Sequence, residues 1–135
     1  MKKFNLLMIS LVVCLFTACN NSKPNTTEAV KSVSLKFTEL GRETIMSIDC
    51  DKFDSFFPEV KEKQVIDKKA IDSLMLALKD LQGVEQGYKP DVRGKIFITH
   101  KDNKTDTVCV GVKMLSYKGT VYQTPQNLLK WVQSR

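Results

Sequence analysis

The sequence has a single histidine, His100, and a single tryptophan, Trp131, among 135 residues. One histidine excludes the paired-histidine clusters of zinc hydrolases and leaves no recognisable nucleophile–base–acid triad. No GxSxG is present, and the six glycines form no phosphate-cradling loop. The four cysteines contain no CxxC pair, so Cys50, Cys109 and His100 lack the local spacing of a zinc or copper site. Asp49, Asp51, Asp54 and Glu59 lie close together but lack the sharp-turn glycine of a calcium loop, and read as a solvated acidic loop. Basic residues outnumber acidic ones by 21 to 15, yet they are spread along the chain with no aromatic-interleaved block, which argues against a nucleic-acid partner. No catalytic, cofactor or metal set is assigned. The longest apolar stretch, Phe4 to Phe16, falls short of the about 20 residues that span a bilayer.

That short stretch is nevertheless informative. Lys2 and Lys3 precede it, Asn5 and Ser10 alone interrupt it, and Thr17, Ala18 and Cys19 close it. The chain then turns polar at Asn20, Asn21, Ser22 and Lys23. A charged n-region, an apolar h-region and a small-residue boundary make a secretory signal. Its end, Leu15-Phe16-Thr17-Ala18-Cys19, resembles the lipobox of bacterial lipoproteins, with Phe16 where the family usually carries a small aliphatic residue such as leucine. The resemblance covers residues 1–19 and implies that Ala18 is the last residue removed and that Cys19 becomes the acylated N-terminus. Several acyl chains on one residue anchor stably where one holds only reversibly. The expected organisation is a signal peptide over 1–18, a lipidated N-terminus and flexible tether over 19–29, and one small domain over 30–135. Asn20 in place of aspartate after the cysteine favours the outer membrane over inner-membrane retention.

Cys14 leaves with the signal and Cys19 takes the lipid, so Cys50 and Cys109 remain. An exported pair can form a disulfide, which over a loop of this length is worth roughly 4 kcal/mol on the chain-entropy model. The alternative is two separately buried thiols acting as small hydrophobes.

Alternation over residues 30–38, with Val33, Leu35 and Phe37 on one face, predicts a half-buried strand. Residues 44–50 alternate again through Met46, Ile48 and Cys50, and Gly41 between the two suggests a hairpin. Phe53, Phe56 and Phe57 read as a short turn over the edge of the core, ended by Pro58. Residues 59–65 read as a short extended piece. Asp67 is a natural N-cap for a helix carrying Ile71, Leu74, Met75, Leu78 and Leu81 on one stripe, with Gly83 ending it after Gln82. A loop with Tyr88 leads to strands over 95–100, 107–116 and 120–123, the last two joined through Lys118-Gly119. Thr124 as N-cap and Pro125 at the first helical position start a final helix with Leu128, Leu129, Trp131 and Val132.

The order ββαβββα implies an α+β domain: an antiparallel sheet of four to five strands, the main helix across one face, the last helix closing the core. On continuous alternation Val108, Val110, Val112 and Met114 share one face, and Cys109, Gly111, Lys113 and Leu115 the other. If helices cover only the valine face, a Cys50–Cys109 bond needs a bulge or a second covered face. Leu115 and Lys113, with Phe97 on the next strand and the loop residue Tyr88, are then the candidate contact surface. The expected function is a membrane-anchored envelope lipoprotein acting as a small binding module, with the bilayer and another envelope component as partners. The alternatives are a small hydrolase using the carboxylates of residues 49–54, or a structural accessory subunit.

The mature protein extracted from its membrane is expected to begin at Cys19 and to carry acyl mass. Intact mass spectrometry checks this, and an unmodified chain beginning elsewhere would overturn the lipid anchor.

Overall fold

In the computed structural model, which describes residues 29–135, the chain runs β1 (Val30–Phe37), a 3-10 turn (Cys50–Lys52), α1 (Phe53–Phe56), β2 (Lys63–Val65), α2 (Lys68–Lys79), β3 (Val92–His100), β4 (Thr105–Gly111), β5 (Met114–Tyr117), β6 (Thr120–Gln123) and α3 (Gln126–Gln133). The signal peptide, Cys19 and the tether up to residue 28 lie outside the described residues. The strands form one fully antiparallel sheet in the order β2-β1-β3-β4-β5-β6. The domain is therefore α+β with an antiparallel sheet, but with six strands rather than four or five, and three helices.

One face of the sheet carries Val33, Leu35, Ile96, Ile98, Val108, Val110 and Leu115 into the main core. The alternation of β1 and β3 dictates this, since successive strand side chains point to opposite faces. Helix α2 covers that face with Ala70, Leu74, Ala77 and Leu78, spaced as a single stripe. Asp67 caps it as expected, accepting from the backbone N–H groups of Lys69 and Ala70 at 3.2 Å each. Helix α3 adds Leu128, Leu129 and Val132, and the Trp131 indole N–H donates to the Ala70 carbonyl at 2.7 Å, tying the two helices together. The β5–β6 turn has positive φ at both Lys118 and Gly119, the geometry of a two-residue hairpin.

Four expectations need correction. Residues 44–50 are not a strand: both edges of β1 are taken, by β2 and by β3, which leaves no edge for a hairpin partner. The additional strand is β2, inside the piece expected only to be extended. Helix α2 stops at Lys79 rather than Gln82. Residues 82–84 are drawn out to line the β6 edge: Gln123 N–H donates to the Gln82 carbonyl at 2.9 Å, and Gly83 bridges Tyr122. That pairing also masks an edge that would otherwise be open. Thr124 does not cap α3; its hydroxyl donates to the Gly111 carbonyl at 2.8 Å and the helix starts one residue later than expected.

The largest departure is at residues 107–116, which fold back as β4 and β5 around Val112 and Lys113. Val110 lies opposite Leu115. Directly paired residues share a face, so the turn reverses the expected parity and sends Leu115 into the main core, where it is 0 % exposed. Gly111 permits the fold-back: a Cβ there would sit 2.5 Å from the Asp91 carbonyl oxygen and 2.8 Å from that of Met114.

The reverse face is covered as well. Ile48, Phe53 and Phe57 pack on Val92 and Cys109, forming a second cluster, and Cys50 is joined to Cys109 by a disulfide with Cα atoms 5.7 Å apart. Cys109 does point away from the valines, as its parity requires. A strap of residues 42–60 buries it there.

Replacing both Cys50 and Cys109 by alanine is expected to lower unfolding stability by about 4 kcal/mol, the entropy of the loop the bond closes. Denaturant titration checks the size, and an unchanged midpoint would show the strap to be held without the bond.

Candidate functional site

The strap does more than cover apolar surface. Arg93, only 4 % exposed, is a long cation inside the fold. Its guanidinium donates to the Arg42 carbonyl at 2.8 Å, to the Thr44 hydroxyl at 2.8 Å, to the Val92 carbonyl at 3.0 Å, and to both oxygens of Asp91 at 2.6 and 2.8 Å. A buried charge must be paired and hydrogen-bonded in this way. Asp91 also accepts from the Ile48 backbone N–H at 2.9 Å, and Arg42 lies over the Phe57 ring at 5.0 Å. These contacts hold residues 40–44 as a lip beside the start of β3.

Between that lip and the β4–β5 turn lies a cleft of about 680 Å³, walled by Leu40, Arg42, Lys89, Arg93, Val112 and Lys113. A second hollow of about 500 Å³ continues from it past the shared Lys113 and Met114 to Glu85, Tyr88 and Gln123. Lys89 and Lys113 make no ion pair among the described residues. Exposed Val112 lines the cleft and exposed Tyr88 the second hollow, and Ile45, 97 % exposed, and Met46 follow Thr44 of the cleft wall in the chain. This end is formed by the C-terminal end of β1, the start of β3 and the β4–β5 turn, so antiparallel pairing puts it at the far end of the sheet from Ala29.

The chain matches no family model, no curated protein and no solved structure. The site is therefore read from its own chemistry.

Of the surface expected from the sequence, Tyr88 and Lys113 come together at the second hollow. Phe97 and Leu115 do not join them: Phe97 is half-buried on the reverse face in mid-sheet, and Leu115 is inside the main core. Ile45, Met46, Arg42, Asp91 and Arg93 were not foreseen. No local period marks them as a site, because the lip is shaped by one buried guanidinium.

The carboxylates of residues 49–54 do not gather into a reactive pair. Asp54 binds Lys36 at 2.8 Å and Lys95 at 2.6 Å, and these hydrogen bonds hold its carboxyl below the ordinary range. A general acid needs the opposite shift. Asp54 instead pins α1 to the sheet. Asp49 lies 3.7 Å from Lys52, and Glu59 pairs with Arg42 at 2.9 Å. Among the described residues, no group of three or more His, Cys, Asp or Glu side chains is set to hold a metal ion. His100 is bound to Asp106 at 2.9 Å, and Tyr117 and Lys118 reach the same carboxylate at 3.3 and 3.2 Å. Burial pushes the Asp106 carboxyl up, but His100 and Lys118 outweigh it and hold the group below the usual range.

A carboxylate whose folded pKa is depressed contributes stability above its unfolded value of about 3.9, and that stability is lost as pH falls through the folded value. Asp54 and Asp106 both act in this sense, so the domain is expected to weaken on acidification below about pH 4. Asp54→Asn, which removes the charge shared by Lys36 and Lys95 and leaves one acceptor oxygen for two lysines, is expected to cost about 1–3 kcal/mol at neutral pH, held towards the lower end because Asp54 is half-exposed and screened. It should also flatten the acid limb of a stability–pH profile, and an unchanged limb would contradict the role.

Proposed function

We propose that this chain is a bacterial cell-envelope lipoprotein, anchored through an acylated Cys19 and acting as a small binding module whose working surface is the cleft end of the sheet. The signal and lipobox-like prefix supports the anchor, and Asn20 favours the outer membrane. The observation that carries the binding role is that exposed Val112 and Tyr88 line two adjoining hollows with Lys89 and Lys113, which make no ion pair among the described residues, and that exposed Ile45 and Met46 follow the cleft-lining Thr44 in the chain. Apolar groups gathered at one end of a small domain, with polar groups at the margin, have the anatomy of a protein contact surface. Lys89 and Lys113 suit a partner that presents carboxylates around an apolar side chain. The occupant proposed is therefore another envelope protein with an acidic, partly apolar surface.

A photo-crosslinking residue placed at Tyr88 or Val112 in cells is expected to give one discrete protein adduct, and one placed at Leu76, exposed on α2, to give none. Lys113→Glu is expected to weaken the adduct roughly tenfold, as loss of an interface hot spot would. Equal labelling from all three positions would sink the assignment.

A further inference from the structure

The opposite end of the sheet carries a second surface. Ala29, where the described chain begins, is held there: the Lys101 backbone N–H donates to its carbonyl at 2.9 Å. Val30 pairs with His100, and the Asp106 contacts bring the β5–β6 turn to the same place. β2 runs antiparallel to β1 and ends at Val65 opposite Val33, so Ile66, Asp67 and Lys68 continue towards this end.

Five exposed lysines, Lys31, Lys68, Lys101, Lys104 and Lys118, meet three aspartates here, and all three aspartates are engaged. Asp67 caps α2, Asp102 faces Lys104 at 3.3 Å, and Asp106 holds His100 and Lys118. Lys31 and Lys101 enter no ion pair among the described residues. A hollow of about 480 Å³, large enough for a phosphate group, is lined by Ala29, His100, Lys101, Lys104 and Lys118 together with Asp102 and Asp106, whose carboxylates pair with Lys104 and Lys118. Ile66 stands beside this region 93 % exposed.

Chain length makes the position of this surface consequential. Ten residue-to-residue steps lead from Cys19 to Ala29, and fully extended they reach at most about 35 Å. An anchor at Cys19 therefore keeps Ala29 within about 35 Å of the lipid headgroups. Each lysine near an anionic surface adds about 1 kcal/mol of attraction, a factor of roughly five in binding, within a Debye length.

We infer that the end of the sheet around Ala29 docks on the phosphate headgroups of an anionic phospholipid bilayer, with Ile66 set among them. The inference rests on the Cys19 anchor. It fixes an orientation that the anchor alone does not. The basic end lies on the membrane, and the cleft end points away from it at a distance set by β3, about 30 Å for a strand of this length.

The test uses the mature protein purified from its own membrane and reconstituted in two kinds of vesicle. One is phosphatidylcholine alone; the other is phosphatidylcholine and phosphatidylglycerol in equal parts. Backbone hydrogen exchange at residues 66–69 and 101–104 is expected to slow roughly fivefold in the anionic vesicles relative to the neutral ones. Exchange at residues 45–46 should not change. Added salt should remove the difference, and so should the paired variant Lys101→Gln, Lys104→Gln, whose unaltered exchange in β3 would show that it is folded. Intact mass on the same sample reads the anchor separately. Acyl mass with no difference between vesicles, or with slowing at 45–46 instead, overturns the docking surface and leaves the anchor standing. Slowing in anionic vesicles without acyl mass supports the surface and overturns the anchor.

Discussion

The bond between Cys50 and Cys109 is the constraint on which the reverse face depends. Antiparallel sheets commonly keep one face wet. Here β4 would then expose Cys109, and the start of β3 would expose Val92. The disulfide draws the strap across both, and Ile48, Phe53 and Phe57 become a second core instead of a mobile apolar loop. Asp54 can then reach Lys36 and Lys95, two cations of neighbouring strands that would repel each other without a shared carboxylate.

Arg93 carries the same organisation to the end of the sheet. Its buried guanidinium accepts no loose arrangement, because each unsatisfied N–H in a low-dielectric interior is costly. The geometry that satisfies it uses the Arg42 carbonyl, the Thr44 hydroxyl and the Asp91 carboxylate together. The lip, the cleft and the exposure of Ile45 follow from that one group. The molecule consequently has two unlike ends. One has apolar side chains around a cleft. The other has lysines around the entry of the chain. A short antiparallel sheet separates them and keeps them apart, since its strands run directly from one to the other.

Elements governed by local physics were legible. Asp67, the stripe through Leu74 and Leu78 and the Lys118-Gly119 turn formed where propensity and periodicity put them, and the last helix formed one residue later than its expected start. Errors clustered where two segments compete for the same partner. Alternation over residues 44–50 is genuine, but β1 had no edge left to offer. Residues 82–84 favour a helix end until β6 supplies a ladder. The β4–β5 fold-back was hidden because Val112-Lys113 has none of the residues that favour a tight hairpin turn, and Gly111 is required by the approach of the Asp91 and Met114 carbonyls, which no local pattern announces. Of the candidate surface, Tyr88 and Lys113 line one hollow. Leu115 was lost to that single reversal of parity.

By itself the sequence determined the class of the domain, its two main helices and the faces of β1 and β3, because each depends on neighbours within a few positions along the chain. Only the tertiary structure decided that the sheet has two covered faces, that Cys50 meets Cys109, and that Arg42, Asp91 and Arg93 build a cleft at one end while lysines from four separate segments collect at the other. Those outcomes depend on which strand occupies which edge. Edge choice is settled by competition among all the strands at once, and no local period records it.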